Sequence, residues 1–456
     1  MTPAWHAPWP ASRTEALRRL ARVDLTRYAQ TRNHLDGEHS LLSPYVTHGW
    51  LTLPEMLARP ASRASEPLPL RHPWVLQLGW RSYFLHVWRH LGDEVLKDQH
   101  AGPRPAQAMS HTLPADFLAA HTGVPVIDRA LRQLHQTSHL HNHARLWLAS
   151  YLVHVRGVHW RVGADWLHAH LLDGDVTSNH LSWQWVAGTR SHQPYLFNAD
   201  NVARHAPAAW HSPGTVIDQP YEVMGALARG AQALPLPPSQ RGHSLVPDMV
   251  PGLVPDMVPD LEWPQATHEP GSEDAWVRPQ GPEPLMASLR EQLRGQDVLL
   301  LHPWNLGMAP REGERLLAWS APEWHALLPW SPRRWQWVAQ GMSHQGPPAC
   351  WGSLALLQQV LCQVRSVRTR AHPLVGEQLP ACVRLEEAPA LFCEPGHEMP
   401  SFSKWWQAVT HGLGRIDELP GLAHPFQAQP LCGDRHDLTR IPELDPGHRR
   451  HRWHRP

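Results

Sequence analysis

Lysine is nearly missing from this chain of 456 residues. Only Lys97 and Lys404 occur, so 39 of the 41 lysine and arginine side chains are arginine. The 41 basic residues are matched by 41 acidic ones, which leaves a formal net charge of zero when histidine is neutral. The chain therefore lacks the overall positive field that marks many nucleic-acid-binding proteins. We attribute the excess of arginine, proline and tryptophan to genomic base composition.

Long apolar runs and an export signal are also missing. No stretch reaches the roughly 18 consecutive apolar residues of a membrane span, and the first 20 residues are interrupted by Pro3, Pro8 and Pro10. The five cysteines include no CxxC pair, so we expect no metal site. Their odd number and the missing signal favour reduced thiols in a cytoplasmic protein, which we expect to be monomeric and free of the membrane.

Helical periodicity dominates residues 1–220, where strand-like alternation is scarce. Apolar residues recur at turn spacing, which predicts a mostly α fold with an all-α domain at this end of the chain. The clearest amphipathic stretches are residues 15–23, 72–90, 125–136 and 143–155.

Residues 221–290 differ in composition. The heptapeptide Leu-Val-Pro-Asp-Met-Val-Pro occurs twice, at 245–251 and 253–259. Proline at every fourth residue blocks both helices and sheet ladders, so the sequence predicts an extended Pro-rich linker without regular structure.

Residues 291–420 predict a small α/β unit. Short apolar runs indicate strands at 297–302, 382–385 and 390–393, and helical spacing indicates helices at 353–367 and 403–413. The His- and Arg-rich tail, residues 421–456, is typical of an unstructured chain end.

Residues 173–185 concentrate the chemistry, with the sequence Asp-Gly-Asp-Val-Thr-Ser-Asn-His-Leu-Ser-Trp-Gln-Trp. Carboxylates accept hydrogen bonds from ribose hydroxyls, and an asparagine amide can meet the edge of a heterocycle. A buried tryptophan can pass an electron to an excited ring. The segment suggests a nucleotide cofactor that is also a chromophore, such as FAD. The alternative is a polar turn before a tryptophan-containing helix.

Six further landmarks accompany this segment in a fixed order, and together they resemble the FAD-binding domain of the photolyase/cryptochrome family over roughly residues 13–201. In chain order these six landmarks are Tyr28, 37–45 (GEHSLLSPY), 74–84 (WVLQLGWRSYF), 122–128 (TGVPVID), 141–145 (HNHAR) and 160–163 (WRVG). Residues 173–185 follow them and complete the series.

The resemblance implies FAD as the cofactor and a set of residues that bind it. Ser40 and Ser43 would donate to the pyrophosphate, although helix capping alone would also favour serine there. Arg145 would form an ion pair beside the isoalloxazine, and Asn179 would lie near its reactive nitrogen. The predicted cofactor-binding residues are Tyr28, Ser40, Leu41, Leu42, Ser43, Trp74, Arg81, Asn142, Arg145, Asp173, Asp175, Ser178 and Asn179.

The resemblance also implies a route for electrons. Trp183 and Trp160 match two members of the family's tryptophan chain, which reduces photoexcited flavin. The third position falls near Gln107, where no tryptophan stands, and Trp147 and Trp166 are unranked candidates to complete the route. The predicted catalytic residues are Trp183, Trp160, Asn179 and Asn142.

In the family's repair enzymes, reduced FAD donates an electron to a pyrimidine dimer that is flipped out of the duplex. Trp74, Gln77 and Trp80 match the positions that bind the lesion. Gln77 stands where a glutamate is usual, and this departure leaves the lesion open.

Three functions follow from these assignments. The leading hypothesis is a FAD-dependent, light-driven DNA photolyase, a carbon–carbon lyase whose partner is damaged DNA. The alternative is a cryptochrome-like blue-light photoreceptor, or a redox flavoprotein, without repair activity. A structural or interaction protein with a relic site is the third.

The order of the two predicted domains departs from the family pattern. Family members normally place an α/β antenna domain before the flavin domain, whereas here Met1 lies almost at the start of the flavin domain. We interpret residues 291–420 as a relocated or degenerate antenna-like unit and expect no bound antenna pigment.

Overall fold

The structure, a computed structural model, describes residues 9–231, 276–277, 282–344, 346 and 349–423. Helices form the first part of the chain and a small parallel sheet with its own helices forms the second, which confirms the predicted fold class. None of the helices in these ranges combines the length and the apolar character that a membrane crossing needs.

The helical unit fills residues 9–231, and a π-helical turn, Tyr151–Val155, extends its eighth helix. Its α-helices are α1 Arg13–Leu20, α2 Leu25–Thr31, α3 Ser43–Thr47, α4 Leu53–Ala61, α5 Pro73–Leu91, α6 Ala115–Leu118, α7 Pro125–Thr137, α8 Asn142–Ser150, α9 Trp160–His170, α10 Val176–Ala187, α11 Ala199–His205 and α12 Tyr221–Ala228.

The sequence fixes the ends of α10, the helix that carries much of the site. The Asp175 carboxylate accepts from the backbone N–H of Ser178 at 2.8 Å, which satisfies one of the free donors of the first turn. The helix ends at Gly188, whose φ of 79° suits a left-handed C-cap. The acidic residues therefore sit where the N-terminal end of α10 favours negative charge.

The α/β unit follows along the chain. Its elements are β1 Trp276–Val277, α13 Pro282–Leu293, β2 Asp297–Leu301, β3 Arg315–Ser320, α14 Pro332–Ser343, β4 Ala349–Trp351, α15 Leu354–Leu361, β5 Ser366–Arg370, β6 Val383–Glu386, α16 Phe402–Val409 and α17 Pro420–Ala423.

All pairings in its sheet are parallel, and the strand order is β1-β4-β3-β2-β5-β6. From β2 the chain winds to β3 and β4 on one side and then to β5 and β6 on the other. This is the doubly wound arrangement, in which a crevice opens at the carboxyl ends of the strands where the winding reverses. Here that point lies between β2 and β5.

The predicted strands and helices of this unit are partly right. The strands at β2 and β6 and the helices at α15 and α16 occur at or within a few residues of the predicted positions. The strand predicted at 390–393 is wrong, since those residues form bends and loops. The helix predicted over 353–367 ends at Leu361, and β5 starts at Ser366.

Part of the predicted linker, residues 221–290, forms helices and a strand. Helix α12 occupies its first residues, and β1 and α13 lie near its end. The heptapeptide repeat and the tail beyond residue 423 lie outside the described residues. Cys393 belongs to a disulfide, against the expectation of reduced thiols, whereas Cys362 and Cys382 are free.

The two units share one hydrophobic core and are joined by backbone hydrogen bonds. The N–H of Leu306 donates to the His48 carbonyl at 3.0 Å, and that of Gly307 donates to the Gly49 carbonyl at 3.1 Å. The loop after β2 is thereby bonded to the turn after α3. Trp50, which follows that turn, is buried against Gly341 of α14.

We predict that Gly49→Ala weakens this junction. Gly49 has a φ of 71°, and a Cβ added there would overlap the Trp304 carbonyl oxygen. Gly412 has a similar φ of 73° with no atom within 4 Å of an added Cβ, so Gly412→Ala reports the backbone strain alone. We expect Gly412→Ala to cost about 1 kcal/mol and Gly49→Ala about 2 kcal/mol more. Urea denaturation measures the free energy of unfolding of both variants. Equal losses of this free energy in Gly49→Ala and Gly412→Ala would contradict the junction described here.

Candidate functional site

Helix α8, the loop after α9 and helix α10 converge on a cavity of about 150 Å³, called the small cavity below. The side chains on its wall come from turn-spaced positions of α8 and α10. It is lined by Phe84, Asn142, Arg145, Leu146, Ala149, Leu171, Asp173, Gly174, Asp175, Ser178, Asn179, Ser182, Trp183 and Val186.

A buried ion pair forms one wall of the small cavity. Nη2 of Arg145 lies 3.0 and 2.7 Å from the two carboxylate oxygens of Asp173, and Nε of Arg145 donates to the Leu140 carbonyl. Burial would raise the pKa of Asp173, but the charge of Arg145 and hydrogen bonds from Arg145 and Ser43 outweigh it and hold the pKa well below its usual range. Asp173 is therefore ionised at neutral pH.

Two other residues of the cavity lining offer hydrogen-bond acceptors. One oxygen of Asp175 is engaged as the cap of α10. The amide nitrogen of Asn179 donates to the Ala164 carbonyl at 2.8 Å, which turns the amide so that its oxygen remains as an acceptor. Two acceptors thus line the same cavity as a guanidinium, and this combination of donors and acceptors fits the edge of a heteroaromatic ring with N–H and C=O groups, such as isoalloxazine.

Two of the predicted tryptophans are neighbours across the contact between α9 and α10. Trp183 lines the small cavity, and its ring lies so close to Gly163 that an added Cβ there would overlap it. Trp160 stands one turn before Gly163 on α9 and is 2% exposed. Its Nε1 donates to the exposed Asp98. The pair leads from the cavity wall towards the surface.

The two candidates for a third tryptophan lie elsewhere in the core. Trp147 packs against Phe197 and donates to Asn201, and Trp166 packs edge-on against Phe117. The rings next to Trp160 are those of His159 and His180.

A larger cavity of about 920 Å³ lies between the two units, at the carboxyl ends of β2 and β5. Arg81 lines it and donates to Thr47 at 2.7 Å. Asp175 lines both cavities. The small cavity falls below the 300–1,000 Å³ or so that ligand sites usually enclose, so a dinucleotide needs the larger cavity as well or a shift of the walls.

The predicted lesion-binding residues are not gathered on one wall. Trp74 is 2% exposed, its Nε1 donates to the Met56 carbonyl, and its ring meets Tyr28 edge-on, so both lie in the core next to α4. Gln77 faces solvent. Trp80 is 38% exposed, and Phe402 of α16 stacks on its ring, with centroids 4.0 Å apart and planes 8° from parallel.

Only part of the segment predicted to bind the pyrophosphate, residues 40–43, lies near the site. Ser43 lies close enough to Asp173 to help lower the pKa of that carboxyl. Ser40 and Leu41 are half-buried, Leu42 is buried, and none of the three lines either cavity. The structure therefore brings together seven predicted residues on the small cavity: Asn142, Arg145, Asp173, Asp175, Ser178, Asn179 and Trp183.

Several residues at the site were not among the predicted site residues. Phe84 and Ser182 lie four residues after Trp80 and Ser178, so helical spacing alone would have found them. Thr47, the partner of Arg81, and Arg334, which reaches the site from the α/β unit, carry no local signal because their contacts come from distant parts of the chain.

Known proteins resemble the helical unit. Residues 74–209 match the protein family described as the FAD binding domain of DNA photolyase. A deoxyribodipyrimidine photo-lyase of Thermus thermophilus is 35% identical over 181 residues, 38% of this chain and 41% of that protein. A cryptochrome DASH of Natronomonas pharaonis is 30% identical over 223 residues, 45% of this chain and 47% of that protein.

Among solved structures, a cryptochrome of Synechocystis sp. PCC6803 is 25% identical; the match covers 42% of this chain and 43% of that one, with a TM-score of 0.38. The matching part spans less than half the length of these curated relatives. The matched family is defined by FAD binding, which supports FAD as the cofactor of the helical unit.

We predict that Asp173→Asn destabilises the flavin-free chain by about 3 kcal/mol at pH 7, because it leaves Arg145 without its counter-charge. The pKa of Asp173 is lowered by folding, so its contribution is present above pH ~4 and is lost as the pH falls below that. Unfolding free energies at several pH values should therefore converge for variant and parent in acid.

The matched control is Asp417→Asn. Asp417 pairs with Arg415, but both side chains are about 60% exposed, so the change should cost less than about 1 kcal/mol. Equal stability of Asp173→Asn and the parent at pH 7 would refute the role given to the ion pair.

Proposed function

We propose that this chain, whose helical unit belongs to the photolyase/cryptochrome family of FAD-binding domains, is a light-driven DNA photolyase that splits pyrimidine dimers in damaged DNA. The observation that carries the proposal is the Arg145–Asp173 pair, which shares one cavity with Asp175, Asn179 and Trp183. Bound FAD would supply a light-absorbing ring that exchanges single electrons with its surroundings.

The polar residues of the small cavity would orient that ring. The free oxygens of Asp175 and Asn179 would accept hydrogen bonds from ring N–H groups, and Arg145 would place positive charge beside the ring. Because Asp173 is buried and ionised, its hydrogen bonds hold the Arg145 guanidinium at a fixed position. This charge favours the electron-rich, reduced form of the cofactor over the oxidised form.

Trp183 and Trp160 would deliver electrons. Trp183 forms part of the cavity wall, and Trp160 continues towards Asp98 at the surface. Trp183 of α10 packs against Gly163 of α9, one turn from Trp160, so the two tryptophans would give a short path from the small cavity to α9.

One observation favours the second function, a blue-light photoreceptor or redox flavoprotein without repair. Phe402 covers the face of Trp80 on which a flipped base would stack. A lesion that used this face would have to displace Phe402 from an aromatic contact worth about 1 kcal/mol. Gln77 also lacks the charge of a glutamate.

We predict that Trp183→Phe slows photoreduction of bound FAD at least tenfold, because phenylalanine is much harder to oxidise than tryptophan. The control is Trp166→Phe. Nε1 of Trp166 has no hydrogen-bond partner among the described residues, so this change removes packing but no polar contact. Flavin absorbance under blue light with an external reductant follows the reaction. An unchanged rate in Trp183→Phe would exclude the proposed path.

We predict that Phe402→Ala increases repair, since it frees the face of Trp80. The assay illuminates the reduced protein with an oligonucleotide that contains a cyclobutane pyrimidine dimer and measures dimer loss. Ser403→Ala, an exposed change on the same helix, should match the parent.

Binding of the oligonucleotide should weaken with added salt, as counterion release requires. If flavin is photoreduced normally while neither the parent nor Phe402→Ala removes dimers, the photolyase proposal fails and the photoreceptor function stands.

A further inference from the structure

Arg334 of α14 reaches from the α/β unit into the loop that carries Asp173 and Asp175. It is fully buried. Nη1 donates to the His168 carbonyl at 2.8 Å, and Nη2 donates to the Gly174 carbonyl at 2.7 Å. The guanidinium therefore connects the last turn of α9 to the residue between the two carboxylates.

The environment of Arg334 fixes its geometry. Its guanidinium carbon lies 3.9 Å from the centroid of the Trp330 ring. A Cβ added to Gly174 would overlap Nη1, so the carbonyl approaches the guanidinium at a position where only glycine fits. The start of α14 is itself bonded to α9, through the Ser331 N–H and the Ala169 carbonyl at 2.9 Å.

Arg334 is also a charge buried behind the small cavity. Burial lowers the pKa of Arg334 to about 9, and Asp173 and Asp175 oppose that shift. The group is therefore still protonated at neutral pH. Arg145 contacts Asp173 directly, whereas Arg334 bonds only to carbonyl oxygens of the backbone, so the two arginines hold the same loop in different ways.

A second contact from the α/β unit reaches the same loop. One ring nitrogen of the buried His48 lies 2.9 Å from the Leu172 carbonyl, and the other lies 2.6 Å from the carbonyl of Pro303 in the α/β unit. Burial lowers the pKa of His48 to about 3, so the neutral ring donates its single N–H to one of these carbonyls and packs against the other. The Leu172 side of the loop therefore also contacts the second half of the chain, through His48.

We propose that Arg334 is a positioning residue for the flavin site: it sets the conformation of the Asp173–Asp175 loop and adds positive charge behind it, so that the α/β unit controls both the affinity for FAD and its reduction potential. The proposal rests on the proposed function, since it requires FAD in the small cavity. It assigns a role to the α/β unit that needs no second chromophore.

The test compares Arg334→Met, which removes the charge and both hydrogen bonds, with Arg334→Lys, which keeps the charge but lacks the two-point fork. The control is Arg333→Met, since Arg333 is exposed on the same helix and donates to the Gln136 carbonyl. Each full-length variant is titrated with FAD, and the midpoint potential of the bound flavin is measured.

We expect Arg334→Met to bind FAD at least tenfold more weakly and to lose about tenfold in its preference for reduced over oxidised flavin. That loss equals a downward shift of roughly 30 mV for a two-electron couple. Arg334→Lys should restore most of the potential and only part of the affinity. Arg333→Met should match the parent in both.

Two outcomes overturn the inference. If the parent binds FAD and both Arg334 variants keep its affinity and potential, Arg334 has no positioning role. If Arg334→Met is only less heat-stable and the flavin it binds has the parent's potential, its role is structural alone. A parent chain that takes up no FAD instead refutes the proposed function and this inference with it. Should Arg334→Met fail to fold, the lysine variant carries the test.

Discussion

Everything proposed for this protein depends on how the loop from Leu171 to Asp175 is held. A carboxylate as buried as Asp173 keeps its charge only when cations and hydrogen bonds replace the lost water. Arg145 supplies that charge from within the helical unit, and Arg334 fixes the backbone of the same loop from the α/β unit. The ionised state of Asp173, the start of α10 and the cavity wall all follow from this double support.

The α/β unit is therefore part of the site's construction. Its sheet is doubly wound, and the reversal point between β2 and β5 opens on the larger cavity, towards Arg81 and Asp175 of the helical unit. A loop of the same unit is hydrogen-bonded to the backbone of His48 and Gly49, and its Phe402 stacks on Trp80. These contacts place the unit against the loop that carries Asp173 and Asp175 and against one face of Trp80.

A feature could be predicted from the sequence when it depends on residues close together in the chain. It could not when it depends on contacts between segments far apart in the chain. The helical unit, β2 and the clustering of Asp173, Asp175, Asn179 and Trp183 follow from local periodicity and short motifs. Strand β3 was missed because the run Arg-Leu-Leu-Ala-Trp-Ser, whose last four residues are buried, has no clear period. The burial of Trp74 and the stacking of Phe402 are settled by tertiary packing, which no local pattern reports.

The most direct test of the central claim is the absorption spectrum of the purified full-length chain, before and after incubation with FAD and removal of the excess. The account predicts about one FAD retained per chain, with the resolved vibronic bands of a flavin in a rigid, water-poor site. A colourless chain that remains folded and takes up no FAD under these conditions would contradict it.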